Sequence, residues 1–227
     1  MRFVVIRHGQ STNNLLWEQT GSEAGRHPDT PLTETGHAQA RLLGETLTSG
    51  VLPWTVDVLY CSLMMRAVQT AAPVAAALDL PLIGHEDMYE VGGPFDIDAA
   101  GVKGPFAGAA KSDLLAACDR LVLPNCATED GWYTRPYEEV ADAPQRARAL
   151  IADLRARHDD NTTVAFVSHG FLSQFLFREL LGITEMPGWV EIHNTSLTLY
   201  EDNASLENTR AVRTDWTPHL PESLVTT

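Results

Sequence analysis

Phe3-Val-Val-Ile6 is a short apolar run that breaks off into Arg7-His8-Gly9-Gln10 and then small polar residues, Ser11-Thr-Asn-Asn14. The run has no helical periodicity and is β-branched or aromatic throughout, which suits a strand buried on both faces of a sheet. Arg7 and His8 then stand where that strand stops, and in open α/β sheets ligands bind in the crevice beyond the carboxyl ends of strands. Arginine offers a rigid fork of donors suited to phosphate or carboxylate, and a neutral imidazole nitrogen is a nucleophile near pH 7. Gly9, lacking a Cβ, is expected to let backbone and ligand approach closely. Taken alone, these three residues are as readily an ordinary strand-to-loop corner as a site.

At 227 residues the chain is long enough for one large α/β domain, or a domain with a sizeable insertion, with a substantial core. Its formal charge, 16 minus 30 or -14, gives a mean field that repels nucleic acid and anionic membranes, so neither is an expected partner. Any small anion must be gripped by a few convergent cations. Cys61, Cys118 and Cys126 form no CxxC pair and leave an odd thiol, which argues against a disulfide framework or a four-cysteine zinc site. Together with the absence of a signal-peptide h-region or a membrane-length apolar run, this predicts a cytoplasmic protein.

Thr33 is a candidate N-cap for a helix whose apolar face carries Ala40, Leu43, Gly44 and Leu47. A strand is expected at Val56–Tyr60, with Ser62 capping the next helix; Ala67, Ala71, Val74, Ala75 and Leu78 form its stripe, and Arg66 falls in its first turn. Leu80–Gly84 reads as a third strand. From about residue 86 to 140 the chain turns rich in glycine, proline and aromatics, with one clear helix around Lys111–Leu121, the pattern of an inserted cap. A long helix starts near Pro144, with Ala147, Leu150, Ile151 and Leu154 inward and its charges outward. Val164–Val167 is the next buried strand, running into Ser168-His169-Gly170 and a helix at Phe171–Leu181 that Gly182 stops. Trp189–His193 and Ser196–Tyr200 read as two closing strands, followed by a polar surface tail anchored by Trp216 and Leu220.

Three separate strand exits therefore carry Arg7-His8-Gly9, Arg66 and His169-Gly170. Convergent cations of this kind are suited to holding a tetrahedral dianion from several sides, which a neutral ligand would not need. In this light the chain resembles the histidine phosphatase superfamily, in its phosphoglycerate mutase-like branch. Arg7-His8-Gly9 matches that family's RHG signature, Ser11 and Asn14 its following Ser/Thr and Asn, and Thr20-Gly21 its Thr-Gly pair. Asp29-Thr-Pro-Leu-Thr-Glu-Thr-Gly36, the segment Ser62 to Ala71 around Arg66, Ser168-His169-Gly170 and Asn194-Thr-Ser-Leu-Thr match its later motifs, so the likeness spans residues 2 to about 200 in order.

The resemblance implies a three-layer α/β/α sandwich with a mostly parallel mixed sheet. It also implies a metal-independent phosphomonoester hydrolase, without cofactor, acting on a small phosphorylated molecule. His8 would be the nucleophile that forms a phosphohistidine, with Arg7, Arg66 and His169 meeting the phosphoryl charge and Asn14, Thr20, Gly21 and Gly170 completing the binding site. Glu90, in Met88-Tyr-Glu-Val-Gly-Gly93, is the best match to the family's proton donor; Glu86 and Asp87 compete with it, and Asp96 less so. Mutase-type phosphoryl transfer and an idle phospho-ligand binding module stay open as alternatives. Mutases of the family carry clustered basic residues after the acid, whereas Lys103, Lys111, Arg120 and Arg135 are scattered here. Phe95, Phe106, Trp132, Tyr133 and Tyr137 would line a substrate wall or form the cap's own small core, and Arg135 is a candidate for a second anionic group. The late edge strands offer a surface on which a homodimer could form, but nothing requires one.

Overall fold

The computed structural model describes residues 1–50, 52–202 and 209–227. β1 (Arg2–Arg7) is followed by α1 (Thr12–Thr20) and α2 (Glu34–Leu47), then β2 (Val58–Ser62), α3 (Met65–Leu78) and β3 (Leu82–His85). A small hairpin, β4 (Phe95–Ile97) and β5 (Lys103–Pro105), precedes α4 (Lys111–Ala117) and β6 (Leu121–Val122). α5 (Ala143–Arg157), β7 (Thr163–Ser168), α6 (Gly170–Leu181), β8 (Leu197–Glu201), β9 (Arg210–Trp216) and a 3₁₀ turn at Glu222–Leu224 complete the order.

The central sheet runs β6-β3-β2-β7-β1-β8-β9. Its first five strands are mutually parallel, and β8 and β9 close it antiparallel. Period-two alternation sorts the strand residues between two cores. Val4, Ile6, Leu59, Cys61, Ala165 and Val167 pack with Leu43 and Leu47 of α2 and Ala67, Ala71 and Val74 of α3. Phe3, Val5, Tyr60, Val164 and Phe166 pack with Ala147, Leu150, Ile151 and Leu154 of α5 and Leu172 and Leu176 of α6. The result is the expected α/β/α sandwich, its central strands read as continuous apolar runs because both faces are covered.

Several local expectations are corrected. Ser62 ends β2 and makes no side-chain cap; the N-terminus of α3 is met instead by Asp29, whose Oδ1 accepts from the Met65 N–H at 2.9 Å. The Lys111–Leu121 helix stops at Ala117, and Leu121–Val122 pairs with β3, so the inserted segment supplies an edge strand of the main sheet. Trp189–His193 is not a strand. Both backbone groups of Val190 are bonded by the Gln174 side chain at 2.8 and 2.9 Å, which satisfies them without a neighbouring strand. The last strand is β9, inside the stretch read as a polar tail; it lies at the sheet edge with much of its surface in solvent, so its alternation carried little apolar signal.

Two glycines decide how closely α2 approaches the end of β1. A Cβ on Gly36 would sit 2.2 Å from the Gln10 carbonyl oxygen, and one on Gly9 would sit 2.8 Å from the Gly36 oxygen. Gly9 thus admits a helix, where close approach of a ligand was expected. Gly36→Ala is expected to destabilise the fold by about 2–3 kcal/mol, because backbone must move in a packed region. Urea unfolding compared with the parent checks this, and an unchanged midpoint would show that the loop yields freely.

Candidate active site

β3, β2, β7 and β1 lie side by side and parallel, so their carboxyl ends open on one edge. His8 follows β1, Arg66 lies in the first turn of α3 after β2, His169 follows β7 and Glu90 lies in the loop after β3. His8 is 3% exposed, Arg66 8% and His169 0%.

Hydrogen bonding assigns the proton on His8. Nδ1 lies 2.7 Å from the Gly9 carbonyl oxygen, which can only accept, so Nδ1 carries the hydrogen. Nε2 accepts from Arg66 Nε at 3.0 Å and is therefore the unprotonated nitrogen, its lone pair directed at that N–H. Burial pushes the His8 pKa well below its usual value, and the neighbouring Arg66 and Arg7 push it further in the same direction. His169 is neutral for the same reasons, burial first and then Arg66 and His8. Its ring centre is 5.1 Å from that of His8; Nε2 lies 2.8 Å from Ser62 Oγ, and Nδ1 has no partner among the described residues. Desolvation brings the Arg7 pKa down to about 10 and lowers that of Arg66, and the carboxylate of Glu90 opposes both.

Glu90 is anchored at the N-terminus of α6, its oxygens accepting from the backbone N–H of Val91 at 2.8 Å, Leu172 at 2.8 Å and Phe171 at 3.1 Å. That is where a helix presents unpaired donors to an anion. The loop that carries it is gripped by Arg146, a residue of α5 expected to point outward with the helix's other charges. Arg146 is instead buried, makes two 2.6 Å bonds to Glu138, donates to the carbonyls of Asp87 at 2.8 Å and Tyr89 at 2.9 Å, and lies 3.7 Å from the centre of the Tyr89 ring. Asp87 and Glu86, the competitors of Glu90, pair with Arg135 on the outer side of that loop. Asp96 is exposed in β4 and bonds its neighbour's N–H.

A cavity of about 430 Å³ opens above these groups, lined by Arg7, His8, Arg66, Glu90, Ser11 and Asn14 and, further out, by Trp17, Arg26, Phe95, Lys103, Tyr137 and Phe171. Asn14 has a double duty, since its side chain and that of Ser11 also form a reciprocal cap on α1. Gly170 lies beside the Arg7 guanidinium, where a Cβ would come within 3.3 Å of Nε. Thr20 and Gly21 are not brought to the cavity. Gly21 closes α1 in a left-handed conformation, and the Thr20 hydroxyl turns back to the Leu16 carbonyl at 2.7 Å. Arg135 is likewise spent on Glu86 and Asp87 and does not line the cavity. Of the cap aromatics, Phe95 and Tyr137 form a wall, their rings at 89° and 5.2 Å apart, whereas Trp132 and Tyr133 are buried in the core and Phe106 borders a different groove. Arg26 was not singled out from the sequence, where it is one cation in a turn-rich stretch. It stacks 3.7 Å above the centre of the Phe95 ring and donates to the Phe95 carbonyl.

Comparison with known proteins identifies relatives of the whole chain and of parts of it. Phosphoserine phosphatase 1 of Hydrogenobacter thermophilus is 25% identical over 83% of this chain and 80% of its own length. Two matches are local: a probable phosphatase of Schizosaccharomyces pombe at 41% identity over 32% of this chain, and a 2,3-bisphosphoglycerate-dependent phosphoglycerate mutase of Bifidobacterium longum at 40% over 34%. This chain spans only 31% and 29% of those two proteins. A crystal structure of phosphoserine phosphatase from Entamoeba histolytica, in complex with 3-phosphoglyceric acid, shares the fold at 21% identity with a TM-score of 0.61, covering 97% of this chain and 99% of that one. The model of the histidine phosphatase superfamily, branch 1, matches residues 3–211, a span that takes in both histidines, both arginines and Glu90, and the chain belongs to that superfamily.

Proposed function

We propose that this protein hydrolyses small phosphate monoesters through a phosphohistidine at His8, without a metal ion. The observation that carries the reading is the state of His8. Its Nδ1 hydrogen is tied to Gly9, its ring is held neutral by burial beside two arginines, and its unprotonated Nε2 is held by the Arg66 Nε–H in a residue that lines the cavity. A phosphoryl group entering there takes over the Arg66 Nε–H from His8 Nε2, which frees the lone pair as it binds the charge.

Nε2 then attacks phosphorus in line, forming the P–N bond as the bond to the ester oxygen breaks. Glu90, acting as the general acid, passes a proton to that oxygen. Charge on the equatorial oxygens is met by Arg7, Arg66 and His169, the positioning and electrostatic terms that dominate phosphoryl transfer. The Ser62 hydroxyl, by donating to His169 Nε2, leaves Nδ1–H as the donor to phosphate. In the second half, water gives a proton to Glu90 as its oxygen attacks phosphorus, and the P–N bond breaks to restore His8. Beyond the phosphoryl group, Arg26 and Lys103 share the aromatic wall of Phe95 and Tyr137. They suit a substrate with a second anionic group, such as the carboxylate of a phosphorylated amino acid or hydroxy acid.

Phosphate release from p-nitrophenyl phosphate and a panel of metabolite monoesters, with chelator present, tests the reaction. Turnover is expected in the parent and none above background in His8→Ala. Activity that the variant retains or the chelator abolishes would overturn the mechanism, and transfer to a second hydroxyl in place of water would favour the mutase reading. Glu90→Gln is expected to lose about 10²–10⁴-fold in kcat on esters with poor leaving groups and much less on p-nitrophenyl phosphate, whose leaving group needs little protonation. Arg26→Ala is expected to raise KM by roughly tenfold for esters with a second anion, the worth of a hydrogen bond to a charged group, and to leave p-nitrophenyl phosphate little changed. Equal effects on both substrates would remove Arg26 from recognition.

The neutral histidines set a pH dependence. An unfolded chain protonates such rings near 6.5, whereas in the fold His8 and His169 stay neutral well below that, and burial holds His219 down to about 4. The unfolded state therefore binds more protons as pH falls through 6.5, so stability is expected to decline from pH 7 to 5. Histidine ring NMR is expected to show His8 as the neutral Nδ1–H form throughout; a ring that titrates near 6.5 would contradict the assignment.

A further inference from the structure

The backbone that presents the nucleophile is held from behind by a relay that closes on one hydroxyl. The Asn194 side chain donates from Nδ2 to the His8 carbonyl at 3.0 Å. Two residues on, the Gln10 N–H donates to Gln39 Oε1 at 2.8 Å. The tripeptide His8-Gly9-Gln10 is thereby gripped at its first carbonyl and its last N–H by two side-chain amides from distant parts of the chain, both fully buried. Thr226 joins them. Its Oγ1 donates to Asn194 Oδ1 at 2.9 Å and accepts from Gln39 Nε2 at 2.8 Å. Its carbonyl accepts the Asn194 N–H at 2.8 Å, and the Leu224 carbonyl takes a second bond from Gln39 Nε2 at 2.8 Å.

Each amide is oriented by this arrangement, since Asn194 needs its oxygen toward Thr226 in order to aim its nitrogen at His8, and Gln39 needs the converse. The hydroxyl is the one group on the ring that can donate to the first and accept from the second. The middle of the tripeptide is fixed separately: the Gly9 N–H donates to Thr70 Oγ1 at 2.9 Å, and that hydroxyl donates to the Arg66 carbonyl at 2.6 Å. Gly9 is also the residue whose carbonyl selects the His8 tautomer. Thr195, next to Asn194, holds a left-handed conformation with φ 57°, and its hydroxyl bonds the Asn194 carbonyl at 2.7 Å and the buried His219 ring at 2.9 Å.

We infer that Thr226 is a positioning residue for His8: its hydroxyl, through Asn194 and Gln39, holds the peptide whose carbonyl selects the reactive tautomer. The inference rests on the phosphatase reading only for its catalytic consequence. The relay touches no group of the cavity mouth, so its loss acts on presentation of the nucleophile and leaves substrate affinity alone. A misplacement well under an ångström is enough to slow an in-line transfer.

The test compares Thr226→Val, which keeps shape and removes the hydroxyl, with Thr226→Ser, which keeps the hydroxyl, in the full chain. With p-nitrophenyl phosphate, the valine variant is expected to lose about ten- to hundredfold in kcat with KM within about twofold, and the serine variant to recover to within about threefold of the parent. A valine variant within about twofold of the parent in kcat, a change confined to KM, or a serine variant as impaired as valine would overturn the inference. If the valine variant does not fold, Gln39→Met cuts the same relay from α2 and is judged by the same split between kcat and KM. A parent that turns over no ester defeats the phosphatase reading and leaves the relay to ¹⁵N-histidine NMR. There, loss of the Nδ1–H signal of His8 in the valine variant supports the inference, and an unchanged signal overturns it.

Discussion

The contact between Arg66 Nε and His8 Nε2 sets the terms for the rest of the structure. It places a buried guanidinium against a buried imidazole, an arrangement stable only while the imidazole stays neutral. Arg7 and His169 crowd the same space. With no anion to balance them, two buried arginines cost too much in desolvation, and the opposing charges come from Glu90, pinned to the start of α6, and Asp29, pinned between the N–H groups of Met65 and Ala109. Asp29 belongs to the Asp-Thr-Pro-Leu-Thr segment, which is thus a cap for the helix bearing Arg66 and a counter-charge for Arg66 itself. Its own pKa rises through burial while those bonds and that arginine hold it down, so the local balance is shared among helix, loop and inserted segment.

Sheet order turns these electrostatics into a site. Because β3, β2, β7 and β1 are neighbours and parallel, four loops that are far apart in sequence emerge side by side. Their strands are covered by helices on both faces, so the crevice at their ends is the natural opening onto which polar side chains can be gathered. The register Arg7↔Ser168 and Cys61↔Val167 sets the two histidines level with the start of α3. Close packing there depends on absent side chains, for Gly9 and Gly36 touch backbone to backbone and Gly44 brings α2 within 2.8 Å of the Pro73 carbonyl as measured from where its Cβ would lie.

What the sequence disclosed follows from this construction. Phe3–Ile6 and Val164–Val167 were legible because strands buried on both faces leave unbroken apolar runs, and the residues just past them were legible as a site because position at a strand end has meaning in such sheets. β9 was illegible, since an exposed edge strand needs no apolar face, and Trp189–His193 misled because its aromatic and β-branched residues lie in a loop whose backbone is satisfied by Gln174 and Asp215. Arg146 is one of five charged residues of α5 and differs from the others only in the partner it meets, a tertiary fact with no local mark. Asn14 and Thr20 show the same limit within one motif: nine residues of helix carry the first to the cavity and turn the second away.

Floor and rim of the cavity therefore have different origins. The floor is made of residues at strand ends or within five positions beyond them, held by backbone contacts and buried amides that tolerate little change in size or polarity. The rim comes from the end of α1, the turn at Arg26, the β4–β5 hairpin and Tyr137, none of which forms part of the central sheet. Arg26 and Lys103 are held there by an aromatic ring, a carbonyl and a partly exposed pairing of Lys103 with Glu23, all weaker constraints than those on His8. On the proposed mechanism chemistry and selectivity are thus separable in this fold: a change at the rim would alter which ester is held while His8 keeps its tautomer, its neutrality and its line of attack.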